Sequence, residues 1–487
     1  MTNKKENPCS LEQEMAEKAE VLASQCSVRE EQLVNLTLDR IVAEVVSKET
    51  DIVNLMTASK GPCLNSVRET VIREVIRSAD GQLWCPSYDE RSRSKQRVNV
   101  YTGTHWEAVE TQLLLDFTAH CAERIGVPES LRMNPVFMKS LSEALAFNLA
   151  KDRHQLIPKG EAWLNMRNGT LVIRKVGTVS LHEHSKEDLF FYTLPYAYDP
   201  DAKCEMWHNF LNRVLPDMDA QQLLREYIGY ILMTDHSLEK TLMLYGSGLN
   251  GKSVTLEVIE GLLGSQNVSY LSLADLTNDD VKRAAFEHKM INISHESGKD
   301  VNPNVLKQLI SGERVVIRHL YHDPRETSEY GKLIASFNIM PRAENIFGFF
   351  RRLLILPYKV TITKEEIDRQ LASKLMKELP GILNWVLEAL PNLMSRGEFS
   401  HCESCEKALE MYRLQSDSVR LFLNEMCESS ENTTHGQELF TAYKNYCFDS
   451  QLKPIGKNKF YARLEELGYE TVMYNETKYF KLKVLHQ

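Results

Sequence analysis

Apolar residues change their spacing several times along this chain, and each change predicts a different element. Over residues 1–60 they recur at helical intervals (Leu11, Met15, Leu22, then Leu33, Leu36, Ile41 and Val45) among charged positions. That pattern predicts two acidic amphipathic helices. Residues 61–200 mix periods. Short strand-like runs hold Trp84, Val98 to Tyr101 and Trp106, and helical stretches follow near 107–125 and 135–150. Residues 162–173 then read as a hairpin with Asn168-Gly169 at its turn. Residues 201–238 return to helical spacing, with Trp207, Phe210, Leu211 and Val214 on one face. Leu223, Leu224, Tyr227, Ile228 and Ile231 form the apolar face of the next helix.

From 240 to 360 four short apolar runs, at 241–245, 290–294, 332–337 and 353–356, alternate with helical or hairpin segments. The alternation predicts an α/β, doubly wound sheet whose ligands lie at the carboxyl ends of its strands. Beyond Pro357 the spacing is helical to about Leu414. The tail predicts three helices, near 417–427, 436–448 and 456–467, and strands at 469–474 and 478–485. Three helices and a terminal hairpin make a winged helix. Its third helix carries Lys457, Lys459 and Arg463, and its wing carries Lys478, Lys481 and Lys483. Such a module meets duplex DNA or docks protein. The expected organisation is a lead-in over 1–60, an α/β unit over 61–200 and a helical collar over 201–239. The sheet follows over 240–360, then a helical segment over 361–415 and a winged helix over 416–487.

Composition changes little in this picture. Hydrophobic content of 43 % and charged content of 26 % belong to globular protein. No apolar run approaches the ~20 residues of a membrane span, and the start has no apolar signal region. Ten cysteines scattered over 487 residues fit reduced thiols in a cytoplasmic setting. Cys402 and Cys405 form a lone C-x-x-C with no second pair, which is not a zinc signature. The net charge of −9 excludes a uniformly basic coat, but residues 240–360 carry 15 basic against 13 acidic side chains. Local positive potential for a nucleic acid is therefore permitted. Arg91 to Arg97 holds four cations in seven residues and reads as a solvated loop or a phosphate contact.

The strongest chemical signal is Gly246-Ser247-Gly248-Leu249-Asn250-Gly251-Lys252-Ser253, which matches G-x-x-x-x-G-K-[ST] between a strand and a helix. Glycines at 246, 248 and 251 let backbone N–H groups converge on phosphate oxygens, and the helix N-terminus adds its dipole. Lys252 is expected to reach the β- and γ-phosphates of ATP, and Ser253 to ligate Mg²⁺. Hydrolysis also needs an acid at the end of a second strand, a polar sensor and a cation. Glu296, after the run at 290–294, is the expected water-activating base and metal neighbour, with His295 where a second acid is often found. Asn338 ends the third run and suits a γ-phosphate sensor. Arg351 and Arg352 precede the fourth run, and one of them suits a finger into a neighbouring subunit's nucleotide. Between these, a strand pair around Asp323-Pro324 would present Arg318, His319, His322 and Arg325 as a cationic tip for single-stranded DNA.

In this order the motifs resemble superfamily 3 helicases of the AAA+ class. The resemblance is to the phage/plasmid primase-helicase group that includes the poxvirus primase-helicase. It rests on the phosphate loop, Asn292-Ile-Ser-His-Glu296, Leu306 to Glu313, Phe337-Asn338 with Pro341, and Arg351-Arg352. Upstream, Leu164 to Leu171, Tyr196 to Trp207 and Glu226-Tyr-Ile-Gly-Tyr230 are similar to that family's helicase-associated region. The resemblance implies a homohexameric ring that hydrolyses ATP between subunits and moves on single-stranded DNA during replication of a phage, plasmid or other mobile element. Family members often carry an N-terminal primase domain. Here residues 1–60 offer none, so a separate primase or polymerase is the expected partner. Two other readings stay open: an ATP-dependent origin-binding initiator or loader, and a regulatory or defence NTPase.

Overall fold

The computed structural model describes residues 31–57, 63–86, 97–152, 155, 157–295, 301–320, 323–338, 350–450, 452, 454–474 and 477–485. Two bodies of core divide the first 240 residues differently from the expectation. Val34, Leu38, Ile41, Val45 and Ile52 pack into one cluster with Val71, Phe117, Leu141 and Leu145. The described part of the lead-in is thus the first layer of a helical unit, built with helices Leu64–Ala79, Thr111–Ile125 and Pro135–Leu149. A small sheet of β1 (Leu83–Trp84), β2 (Asn99–Tyr101) and β3 (Trp106–Ala108) edges that unit. Trp106 begins a strand, and the helix expected from 107 starts at Thr111.

The predicted hairpin is present as β4 (Glu161–Met166) and β5 (Gly169–Arg174), extended by β6 (Val179–His182). Its turn lies one residue earlier than the Asn-Gly signal suggests. Met166 pairs with Gly169, so Arg167 and Asn168 make the loop and Gly169 opens the strand. Gly169 has φ +148, and a Cβ there would stand 2.2 Å from the His182 carbonyl oxygen on β6. The glycine therefore serves close strand approach, not the turn. Ala162, Leu164, Leu171 and Ile173 of this hairpin join the core of the second body, with Trp207, Leu224 and Leu256.

That second body is a five-stranded parallel sheet in the order β13-β7-β12-β9-β8. Its strands are β7 (Thr241–Tyr245), β8 (Val268–Ser269), β9 (Ile291–His295), β12 (Lys332–Phe337) and β13 (Leu353–Pro357). A separate pair, β10 (Val315–Ile317) and β11 (Arg325–Thr327), interrupts the series as the predicted hairpin. Alternation along the strands explains the layers. Leu242, Leu244, Ile293 and Ile334 face helix Lys252–Leu263 and the collar helices. Met243, Leu333, Ala335, Phe337 and Ile355 face helix Pro303–Ser311 on the other side. Each fully buried Leu or Ile stabilises this arrangement by about 2 kcal/mol.

Collar helices Glu205–Val214 and Met218–Leu232 lock onto the sheet by polar contacts as well as packing. The Tyr227 hydroxyl donates to the Leu333 carbonyl of β12 at 2.7 Å. Glu226, fully buried, accepts from Arg396 at 2.8 Å and from the Ser400 N–H at 2.7 Å, tying the collar to the segment beyond helix Leu390–Arg396. Despite burial, which raises it, the Glu226 carboxyl sits below its ordinary pKa because Ser400 and Arg396 donate to it.

The C-terminal module has its own core of Phe422, Leu439, Tyr443, Phe460, Leu464 and Phe480. Helices Ser418–Met426, Gly436–Asp449 and Lys457–Glu466 match the predicted three, and β15 (Thr471–Tyr474) and β16 (Thr477–Val484) the predicted two strands. A third strand, β14 (Cys427–His435), lies between the first two helices and pairs with β16. Its sequence, Cys-Glu-Ser-Ser-Glu-Asn-Thr-Thr-His, carries no apolar alternation, and its register shifts between Ser429 and Thr434. Among the described residues no helix is long and apolar enough to cross a membrane.

Candidate nucleotide-binding site

The loop from Gly246 to Gly251 joins the end of β7 to helix Lys252–Leu263. Gly248 has φ +100 with open space where a Cβ would stand, and Gly251 has φ +87 at the N-cap. Leu249, at φ 47, shares the left-handed region and is 65 % exposed. Gly251 brings no side chain to accept from the first-turn N–H groups, and none caps this helix. An anion at the loop would supply that acceptor. Ser247 and Ser253 are exposed on the loop and first helical turn, so the Ser253 hydroxyl can reach a bound cation.

Lys252 is turned inward and 5 % exposed. Its ammonium donates to the Gly246 carbonyl at 2.7 Å, to Asn250 Oδ1 at 3.1 Å and to Asn338 Oδ1 at 3.2 Å. Because β12 lies directly beside β7, Asn338 at its carboxyl end falls next to the loop. Two residues 86 positions apart in sequence thus meet at one point. His295 ends β9, the strand beyond β12, and its side chain is exposed. Glu296, the expected base and metal neighbour, lies outside the described residues, as does His322. No group of three His, Cys, Asp or Glu side chains able to hold a metal occurs among the described residues. Ser253 is the described side chain of the loop and first helical turn that could ligate a divalent cation.

The two arginines part company. Arg352 is 10 % exposed in its side chain, pairs with Glu239 at 3.0 Å and donates to Ser311 at 3.0 Å. It is an internal tie between the β7 approach and helix Pro303–Ser311. Arg351 is 69 % exposed and stands 3.8 Å from Glu239, so it faces outward. Of the pair, Arg351 is the one that can reach beyond its own chain.

The described hairpin cations predicted to meet nucleic acid are engaged with acids. Arg318 pairs with Asp280 at 3.4 Å, His319 stands 3.2 Å from Glu287, and Arg325 pairs with the same Glu287 oxygen. Arg318, His319 and Arg325 are therefore balanced by carboxylates, Asp280 from a short helix and Glu287 from the bridge to Tyr330. In the C-terminal module Arg463 does not face outward as expected. It is 7 % exposed and pairs with Asp417 at 2.7 Å and with Glu466 at 2.8 Å, facing inward. Lys457 donates to Gln437 at 2.6 Å, whereas Lys459 is exposed. Lys478, Lys481 and Lys483 pair with Glu465, Glu470 and Glu428.

Several residues that shape the loop carry no sequence signal. Phe210 and Val214 of the collar press against it, since a Cβ on Gly251 would stand 2.8 Å from Val214 and 3.2 Å from the Phe210 ring. Tyr358, just past β13, donates its N–H to the Tyr245 carbonyl at 2.7 Å and shares a 3.0 Å hydroxyl contact with Thr255. Burial lifts the Tyr358 phenol well above its ordinary pKa, keeping it neutral. Only the end of an apolar run marked its neighbourhood in the sequence.

Comparison with known proteins adds independent findings. A family described as "D5 N terminal like" matches residues 88–216, and a family of unknown function, DUF5906, matches residues 244–352. The second interval holds the glycine-rich loop, Asn338 and both arginines. A protein of Acanthamoeba polyphaga mimivirus named "Putative helicase" is 20 % identical over 264 residues, covering 49 % of this chain and 27 % of that protein. A protein of African swine fever virus named "Putative primase" is 21 % identical over 396 residues, covering 73 % of this chain and 40 % of that protein. The chain thus spans less than half the length of either relative. Among solved structures, an apo form of the NrS-1 C-terminal region aligns with 85 % of this chain and 99 % of its own, at 10 % identity and TM-score 0.46. Another apo structure of that region covers 85 % and 98 %, at 11 % identity and TM-score 0.47. The chain is therefore similar to a D5-type N-terminal region before its parallel sheet, and to viral proteins named for helicase and primase.

Proposed function

We propose that this chain is an ATP-driven DNA helicase of the superfamily 3, AAA+ type, acting as a homohexameric ring in the replication of a virus, phage or other mobile element. One observation carries the reading: the Lys252 ammonium, at the start of the helix that follows β7, and the Asn338 amide, just past the adjacent parallel strand β12, meet beside an uncapped helix N-terminus. A phosphate chain bound there would lie on backbone N–H groups, with Lys252 at its β and γ positions. Asn338 would sense the γ-phosphate and the attacking water, which Glu296 would polarise. Ser253 and Glu296 would hold Mg²⁺, which would supply positive charge to the phosphates. Arg351 would complete the neighbouring subunit's site, since it faces outward while Arg352 is tied inside.

The DNA-facing parts follow the same logic. The β10–β11 hairpin would track a single strand in the ring, and the C-terminal module would act as a winged helix whose outward cations are Lys457 and Lys459. The names of the viral relatives and the D5-type match support a replication role. A second reading draws on the acid pairing of Arg318, His319 and Arg325. An ATP-dependent origin-binding initiator or loader needs no exposed translocation track. Strand displacement on forked DNA with 3′ or 5′ tails separates the two. ATP-dependent displacement on one tail polarity is expected. ATP-dependent binding without displacement on either fork would leave the loader.

A further inference from the structure

We propose that Asn250 is a positioning residue for Lys252, and that Tyr358 sets its orientation. The inference deepens the nucleotide reading of the same loop and rests on it for its catalytic consequence. Asn250 is 3 % exposed and makes two contacts of opposite chemistry. Its Oδ1 accepts from the Lys252 ammonium at 3.1 Å, and its Nδ2 donates to the Tyr358 main-chain carbonyl at 3.4 Å. A carbonyl can only accept and an ammonium can only donate, so one orientation of the carboxamide satisfies both. The Tyr358 carbonyl thereby obliges Asn250 to turn its oxygen towards the lysine.

Tyr358 is itself fixed at three points: its N–H on Tyr245, its hydroxyl on Thr255 and its carbonyl on Asn250. The bridge also explains the first glycine of the motif. A Cβ on Gly246 would stand 2.3 Å from Asn250 Nδ2 and 2.4 Å from the Tyr358 oxygen. Any side chain at 246 would therefore occupy the space in which the amide and the carbonyl meet. Gly246 also lends its own carbonyl to Lys252 at 2.7 Å. An ammonium has three N–H donors. When phosphates approach, the contacts to Gly246 and Asn338 are the ones given up, and the contact to Asn250 keeps the ammonium aimed.

Two measurements on the full chain test this. The first needs no nucleotide: acetylation of Lys252 by N-hydroxysuccinimide acetate, followed residue by residue by mass spectrometry. Asn250→Ala should raise the Lys252 rate by about tenfold, the scale of one hydrogen bond to a charged group, with other lysines unchanged. An unchanged Lys252 rate would overturn the positioning role. The second is a split between turnover and binding. Asn250→Ala should lower kcat for ATP by about 10- to 100-fold, while ADP affinity changes by less than about threefold. Asn250→Asp keeps an acceptor for Lys252 but faces the Tyr358 carbonyl with a second acceptor, so it should fail to restore kcat. Full activity in Asn250→Asp would overturn the part assigned to Tyr358. Equal loss of ADP binding and kcat with a lowered Tm would reduce Asn250 to a scaffold for the loop. If the wild-type chain binds no adenine nucleotide yet Lys252 acetylation still depends on Asn250, the nucleotide reading fails and the positioning stands.

Discussion

The glycine-rich loop and the C-terminal module were both marked by polar residues in the sequence, and they fare differently in the structure. At the loop the predicted groups converge: Lys252 and Asn338 meet at 3.2 Å, and Gly248 and Gly251 take left-handed backbone. In the module the predicted cations disperse: Arg463 turns inward to Asp417, and Lys478, Lys481 and Lys483 pair with glutamates. The difference is physical. A glycine-rich turn between a buried strand and a helix fixes its own geometry, because only certain backbone angles close it. A surface cation has no such constraint, and its charge is decided by which carboxylate the fold brings near.

The largest effect expected from breaking this contrast is on stability. Arg463→Met leaves the buried Asp417 carboxylate without its guanidinium, and loss of one partner of a buried pair costs about 3–5 kcal/mol. Thermal unfolding should show the module's transition fall while the nucleotide site keeps its activity. A variant that unfolds like wild type would mean that Arg463 is free to face a ligand. Next in size, Asn338→Ala should lower ATP turnover by about 100-fold without changing Tm, and near-normal turnover would separate Asn338 from the site. The arginines sharpen the comparison within the sheet itself. Arg352→Ala should lower Tm, because it removes the contacts of a buried guanidinium to Glu239 and Ser311, whereas Arg351→Ala should leave Tm unchanged and remove hydrolysis. Subunits carrying Arg351→Ala mixed with Lys252→Ala subunits should regain part of that hydrolysis, and a mixture as inactive as its components would argue against a shared site.

A smaller effect tests the hairpin. Glu287 is buried and holds both His319 and Arg325. Glu287→Gln should release charge towards a phosphate backbone and steepen the log–log salt dependence of single-strand binding by about one unit. An unchanged slope would remove the hairpin from the DNA path. The smallest effect is at Lys459, where Lys459→Ala should weaken duplex binding a few-fold at low salt, with no change in ATP turnover.

Much of this fold was legible in the chain. The runs at Thr241, Lys332 and Leu353 are strands because each is apolar on both faces, as a strand covered by helices must be. Asn168-Gly169 misled by one residue because the glycine answers to β6, a strand not yet in view. Strand β14 escaped because an edge strand with a register shift needs no apolar face. Arg463 was legible in hindsight. It lies three residues after Phe460, which is fully buried, and therefore on the inward side of its helix. Asn250 looked like one more loop residue, since the carbonyl that orients it belongs to Tyr358, 108 positions away.

The central claim is that the loop beside Asn338 is an ATP site whose turnover answers to DNA. Steady-state ATP hydrolysis with Mg²⁺, measured with and without single-stranded DNA on wild type and Lys252→Ala, tests it most directly. The account predicts turnover that single-stranded DNA stimulates in wild type and that Lys252→Ala abolishes. Hydrolysis retained in Lys252→Ala would contradict the site, and wild-type hydrolysis indifferent to DNA would contradict the motor.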